Sequence, residues 1–208
     1  YSFMTGDASF ELPNAPFRLQ RNSAASHEAP YGGAQSAVLN ARGLADARRC
    51  IGDWPGYEPT PLVELPALAA HLKIGALYYK QEAARFGLRS FKPLGGAYAV
   101  QRCLMRRVAG HLGVDSVPPE AILQRQYADI VARLTVTAAT DGNHGRSVAW
   151  GARMFGCRCV IYINEAVSDA REQAIAAYGA EVRRHPGSFD DAVREAFAVA
   201  RENSWEVI

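Results

Sequence analysis

From Ala76 to Ile208, short apolar runs alternate with longer stretches whose apolar residues recur every three or four positions. The first pattern belongs to buried strands, the second to helices with one face on a core. Strands are predicted at 76–80, 135–138, 158–163, 181–184 and 205–208. Helices are predicted at 97–108, 118–132, 147–155 and 169–178, and after Ser188, a hydroxyl suited to an N-cap. In that last helix Ala192, Val193, Ala196, Phe197 and Ala200 share one face. Regular strand–helix alternation implies right-handed βαβ units, hence an α/β fold with a parallel sheet and flanking helices.

Upstream the pattern weakens. Residues 1–34 are rich in Ser, Pro, Gly, Asn and Ala without periodicity, and read as an extended arm. Either Phe3, Phe10 and Phe17 pin that arm to the body or a partner, or the terminus is poorly ordered. Val38, Leu39, Leu44 and Ala45 predict one surface helix over 37–50. Prolines at 55, 59 and 61 impose an extended path, followed by a short helix at 67–72.

Composition narrows the function classes. The 208 residues are 49% hydrophobic and 21% charged, as expected for a soluble globular chain able to bury a core. A net charge of +2, with no basic stripe, excludes nucleic acid as the main partner. Neither an 18-residue apolar run nor a charged-then-apolar leader is present, so neither a membrane span nor a signal peptide is expected. Cys50, Cys103, Cys157 and Cys159 fit no disulfide framework, zinc motif or dithiol motif. They read as buried free thiols of a reducing cytoplasm, with Cys157 and Cys159 on one face of a strand. The chain opens on Tyr1 and stops on a strand entering the sheet, so a fragment is expected.

Two stretches carry candidate chemistry. Thr135-Val136-Thr137-Ala138-Ala139-Thr140-Asp141-Gly142-Asn143-His144-Gly145-Arg146 runs from a strand through a glycine loop toward a helix. Open α/β folds build ligand sites this way, because glycine allows close backbone approach and the helix start favours an anion. Asp141 opposes anion binding, so a cationic partner or a proton-transfer role must account for it. Ser90-Phe91-Lys92-Pro93-Leu94-Gly95-Gly96-Ala97-Tyr98 places a lysine just before a helix.

Together these stretches resemble the fold-type II pyridoxal 5′-phosphate (PLP) enzymes, in which a Ser-Phe-Lys segment carries the cofactor lysine and a Gly-Asn-His-Gly loop cradles the ring. Pro59-Thr60-Pro61-Leu62 and Lys80-Gln81-Glu82 also resemble that family. The variants after Lys92 and around Asp141 are most similar to the diaminopropionate ammonia-lyases within it. The resemblance implies an amino-acid-degrading lyase that eliminates ammonia from 2,3-diaminopropionate to give pyruvate. It implies PLP as cofactor, a small amino-acid substrate, no metal, and a cytoplasmic homodimer.

Residue by residue, the resemblance makes Lys92 the cofactor-bound amine, which later exchanges protons with the substrate. Burial against Phe91, a nearby cationic ring and the helix N–H groups would make that amine nucleophilic. Asn143 would bond the ring's phenolic oxygen, Gly142 would shape the loop, and Asp141 would be the base for the α-proton of the D-isomer. His144 would order the loop or act as an acid/base. Arg146 would pair with a carboxylate, hold the helix start or be solvated. Lys80 reads as solvated or salt-bridged. The implied division is 1–75 as arm and part of a larger domain, and 76–208 as the smaller α/β domain. The phosphate-binding loop and the pyridine-nitrogen partner of the family are expected beyond Ile208, which would leave the fragment alone inactive. Two other readings remain: a serine/threonine dehydratase-like or threonine synthase-like lyase, and a non-catalytic binding or assembly module.

Overall fold

The computed structural model describes residues 20, 22–24 and 28–208. Phe3, Phe10 and Phe17 lie outside the described residues. The chain divides into two compact units, Tyr1–Asn40 and Ala41–Ile208. In the first, the Tyr31 hydroxyl donates to Gln35 O at 3.1 Å and Leu39 O at 2.6 Å, tying down α1 (Gly33–Val38). The single helix expected over 37–50 is corrected. Leu39 is extended, with φ −129° and ψ 123°, so α1 ends there and α2 (Ala41–Gly52) starts anew.

The second unit opens with α2. Next come β1 (Leu62–Glu64), α3 (Pro66–His71) and β2 (Tyr78–Lys80). β1 and β2 pair antiparallel, with Val63 opposite Tyr79, in a two-stranded sheet of their own. This corrects the expectation that the strand near residue 78 enters the parallel sheet. All three residues of each strand are exposed, so neither has the apolar face that a central strand buries. A 3₁₀ segment, Glu82–Gly87, leads to α4 (Pro93–Leu112). The helix expected over 118–132 is two short ones, α5 (Pro119–Leu123) and α6 (Ala128–Val131), with Arg125 at φ +56° between them.

β3 (Thr135–Ala139), α7 (Asn143–Phe155), β4 (Arg158–Asn164), α8 (Asp169–Ala176), β5 (Glu181–His185), α9 (Phe189–Asn203) and β6 (Glu206–Val207) complete the chain. Their strands form a parallel sheet in the order β5-β4-β3-β6. The strand pleat sends alternate residues to opposite faces. Val136, Ala138, Ile161 and Ile163 join α4, α7 and α8 in one core. Val160 and Tyr162 pack on Ala192 and Ala196 of α9 in the other. The order reverses at β3: the chain steps outward to β4 and β5, and α9 then carries it back across the other face to β6. A right-handed crossover requires that change of face. The C-terminal ends of β3 and β6 thus flank a topological switch point, where open α/β sheets place ligands. Ser188 caps α9 as expected, its Oγ accepting from Asp191 N at 3.2 Å.

Helices α4 and α7 touch through small residues. A Cβ on Gly96 would lie 2.0 Å from Ser147 Oγ, and one on Gly151 would lie 2.8 Å from Ala97 Cα. Backbone cannot yield as a flexible side chain can. Gly151→Val should therefore destabilise the fold by about 1–3 kcal/mol, the usual cost of overpacking. Gly110→Ala, where an added Cβ meets nothing within 4 Å, should stabilise it by up to about 1 kcal/mol through helix propensity. Urea unfolding of the two variants checks both signs.

Candidate active site

Lys92 sits at the N-cap of α4, with Pro93 at N1, where a missing N–H costs nothing. Its N–H donates to the buried Ser90 hydroxyl at 3.2 Å, and its carbonyl accepts from Gly96 N at 2.8 Å. The approach to it is anchored by an aromatic cluster in which Phe86 stacks on Trp150 at 4.8 Å and Trp54 meets Trp150 edge-on at 5.9 Å. Arg146 also helps: its Nη1 donates to Leu88 O at 3.2 Å while its guanidinium lies over the Tyr178 ring. Arg146 therefore ties α7 to the segment before the lysine, and pairs with no carboxylate among the described residues.

The glycine loop is shorter than expected, since α7 starts at Asn143 rather than at Ser147. Thr140, 3% exposed, explains this. Its Oγ1 accepts from both Gly142 N and Gly145 N at 3.0 Å, capping the helix early. Gly142 has φ +156° and ψ −90°, a pairing that glycine alone adopts without strain. Gly145 presses on Thr140 and the sheet, since a Cβ there would lie 2.3 Å from Thr140 Cγ2 and 2.9 Å from Ile161 Cγ2. Ser147 Oγ donates to His144 O at 2.7 Å.

Lys92 and His144 line one cavity of about 470 Å³, together with Phe91, Gly95, Gly96 and Ile208. His144 Nε2 lies 3.2 Å from Ile208 O, so the tautomer protonated there bridges α7 to the end of β6. Ile208 N in turn donates to Thr137 O at 2.9 Å. Asp141, Gly142 and Asn143 do not line this cavity. Asp141 and Gly142 stand on the adjoining loop and Asn143 opens α7, with Asp141 and Asn143 exposed. The Asp141 carboxylate has no cationic partner among the described residues. Instead it accepts from Asn164 Nδ2 at 2.7 Å, while Arg171 reaches only its main-chain oxygen, at 3.3 Å. A larger cavity, about 610 Å³, lies between α2 and α4 and holds none of these residues.

Burial of Lys92 against Phe91 is not found. The lysine is exposed and Phe91 is 57% exposed, with Nζ 5.2 Å from its ring centroid. No described residue closes over the pair. Lys80 is exposed, as expected, and its Nζ also donates to Thr60 O. Thr60 also donates to Glu82 Oε1 at 2.6 Å, and Arg85 grips Glu82 with two N–H groups at 3.0 Å. The Pro-Thr-Pro-Leu segment and the Lys-x-Glu segment are thus one network. The thiols are unpaired as expected, and burial pushes those of Cys103 and Cys157 up to about 12. Thr140, Asn164 and Ser147 escaped the sequence reading. The one available signal was a polar residue at the C-terminal end of a buried strand, where Asn164 stands.

The residues present fit the cofactor that the resemblance implies. An amine with no carboxylate partner among the described residues opens into a cavity floored by glycines, at the switch point of a parallel sheet. Beside it the Asn143 amide has no partner among the described residues. Such an arrangement suits an aldehyde cofactor at an α/β switch point. The family model described as "Pyridoxal-phosphate dependent enzyme" matches residues 54–208, and the chain belongs to that family. It is 38% identical over 153 residues to the diaminopropionate ammonia-lyase of Escherichia coli K12, covering 74% of this chain and 37% of that protein. The chain thus spans little more than a third of that relative's length. A solved structure of the E. coli enzyme, in complex with an aminoacrylate-PLP azomethine reaction intermediate, aligns with TM-score 0.70 and 34% identity over 81% of this chain and 40% of that one. The biosynthetic L-threonine dehydratase of E. coli is 26% identical over 164 residues, covering 77% of this chain and 27% of its own. The fold-type II architecture is therefore established, and PLP is the family's cofactor.

Two outcomes follow from this geometry. Thr140→Val keeps the shape but strips the acceptor from two backbone N–H groups. It should cost about 1–3 kcal/mol, read from urea unfolding. The Arg85 guanidinium, helped by Thr60, holds the Glu82 carboxyl below its usual value against the opposing effect of burial. A depressed folded-state pKa stabilises fully above the unfolded pKa, and that contribution is lost as pH falls through the folded one. The parent chain should therefore lose stability on acidification more steeply than Glu82→Gln, compared by unfolding between about pH 7 and pH 3.

Proposed function

We propose that the whole protein catalyses PLP-dependent α,β-elimination of 2,3-diaminopropionate to pyruvate and ammonia. The observation that carries this reading is the convergence of Lys92 and His144 on one cavity, in a chain 38% identical over 153 residues to a diaminopropionate ammonia-lyase. Bound PLP supplies the electron sink that makes the substrate Cα–H acidic. Lys92 would hold the cofactor through Nζ and, once displaced, exchange protons with the substrate. Phe91 would pack beside the ring, Asn143 would donate to its phenolic oxygen, and Gly142 would let the backbone come close. His144 orders the loop, in keeping with its bond to the Ile208 carbonyl. Asp141, exposed and charged, removes the α-proton of the D-isomer.

The dehydratase-like reading is disfavoured by Asp141 and by Gly95-Gly96-Ala97-Tyr98, and the matching relative is the more distant of the two. A non-catalytic module gives no reason for an unpaired lysine at a switch point. We also place the protein in the cytoplasm as a homodimer, the free thiols supporting a reducing compartment. In this reading residues 1–75 are arm and part of a larger domain, and 76–208 are the smaller domain. No helix among the described residues is long and apolar enough to cross a membrane.

Borohydride reduction of the full-length protein with PLP, followed by peptide mapping, tests the central assignment. A phosphopyridoxyl adduct is expected on Lys92 and should vanish in Lys92→Ala. Labelling scattered over surface lysines, or none, would favour the binding module.

A further inference from the structure

β4 ends on a polar side chain after an apolar run, and Asn164 is only 7% exposed. Both ends of its amide are engaged. Oδ1 accepts from Ala166 N at 2.9 Å, and Nδ2 donates to Asp141 Oδ1 at 2.7 Å. A backbone N–H can only donate, so the carbonyl end must face Ala166 and the NH₂ end must face Asp141. The orientation of the amide is thereby fixed from outside the site. Asp141 is held by one oxygen, while Oδ2 has no protein partner among the described residues. Arg171, the cation beside this loop, meets the Asp141 main chain instead of its carboxylate. A neutral donor aims a carboxylate without cancelling its charge, whereas a guanidinium would neutralise the base it positions.

We propose that Asn164 is a positioning residue: it aims Asp141 at the α-proton of D-configured substrate and so sets the balance between D- and L-2,3-diaminopropionate. This rests on the reading of Asp141 as the base for the D-isomer. Asn164 does not line the Lys92 cavity and acts through Asp141 alone. Two substitutions separate this role from a structural one. Asn164→Asp keeps the acceptor for Ala166 N but replaces the donor with a like charge. Asn164→Leu removes both.

The test is kcat and KM of the full-length holoenzyme on each isomer for Asn164→Asp, Asn164→Leu, Asp141→Asn and the double variant Asp141→Asn/Asn164→Leu. Both Asn164 variants should lower kcat on the D-isomer about ten- to a hundredfold, the weight of a hydrogen bond to a charged group. KM should be unchanged, and turnover of the L-isomer should stay within about twofold. The double variant should be no worse than Asp141→Asn on the D-isomer, as expected of residues acting as one unit. The side-chain amide resonances of Asn164 should shift in Asp141→Asn, a readout independent of turnover. Equal loss on both isomers, or no loss on the D-isomer, overturns the proposal while leaving the base assignment intact, provided Asp141→Asn abolishes D-turnover. D-turnover that survives in Asp141→Asn overturns the base assignment and this proposal with it.

Discussion

The close crossing of α4 and α7 is the contact on which the site depends. Gly96 against Ser147 and Gly151 against Ala97 bring two backbones nearer than any side chain allows. Lys92 caps the first helix and His144 lies at the start of the second, so this approach brings the two side chains to one cavity. The packing is also unforgiving. Close-packed interiors transmit small volume changes into backbone shifts, and a shift here moves both functional segments at once.

Around that crossing, polar side chains fix the backbone and leave the candidate groups facing solvent. Thr140 caps the loop, Ser147 holds the His144 carbonyl, Ser90 receives the Lys92 N–H and Arg146 reaches back to Leu88. Each of these side chains spends its hydrogen bonds on main chain. Lys92, Asp141 and Asn143, by contrast, stay exposed. Anchoring and exposure are thus divided between different residues, the arrangement a preorganised site requires.

The same division appears upstream. Arg85, Glu82 and Thr60 form a charged knot that binds the proline-rich segment to the 3₁₀ turn before Ser90. Trp54 extends the anchoring, its indole N–H donating to Gln101 at 3.0 Å and Gln101 donating to Pro119 O at 3.1 Å. These bonds span sequence separations that no local pattern encodes. They explain why a stretch with little regular structure still delivers the lysine to one place.

What the sequence determined by itself was whatever depends on neighbours along the chain. The period of apolar residues placed β3, β4, β5 and the helices between them, because a pleat and a helical turn impose fixed repeats. Ser188 announced its cap, and the motifs around Lys92 and Asn143 identified the family. Tertiary structure decided what depends on residues brought together from afar. It removed Tyr78–Lys80 from the main sheet, where an exposed strand had no core to join. It started α7 four residues early, because the Thr140 hydroxyl satisfied N–H groups that composition leaves open. It bound Lys80 to a carbonyl and gave Asp141 an amide partner, Asn164, 23 positions away. Hydrogen-bond partners are chosen by distance in space, and the linear order of residues does not record that distance.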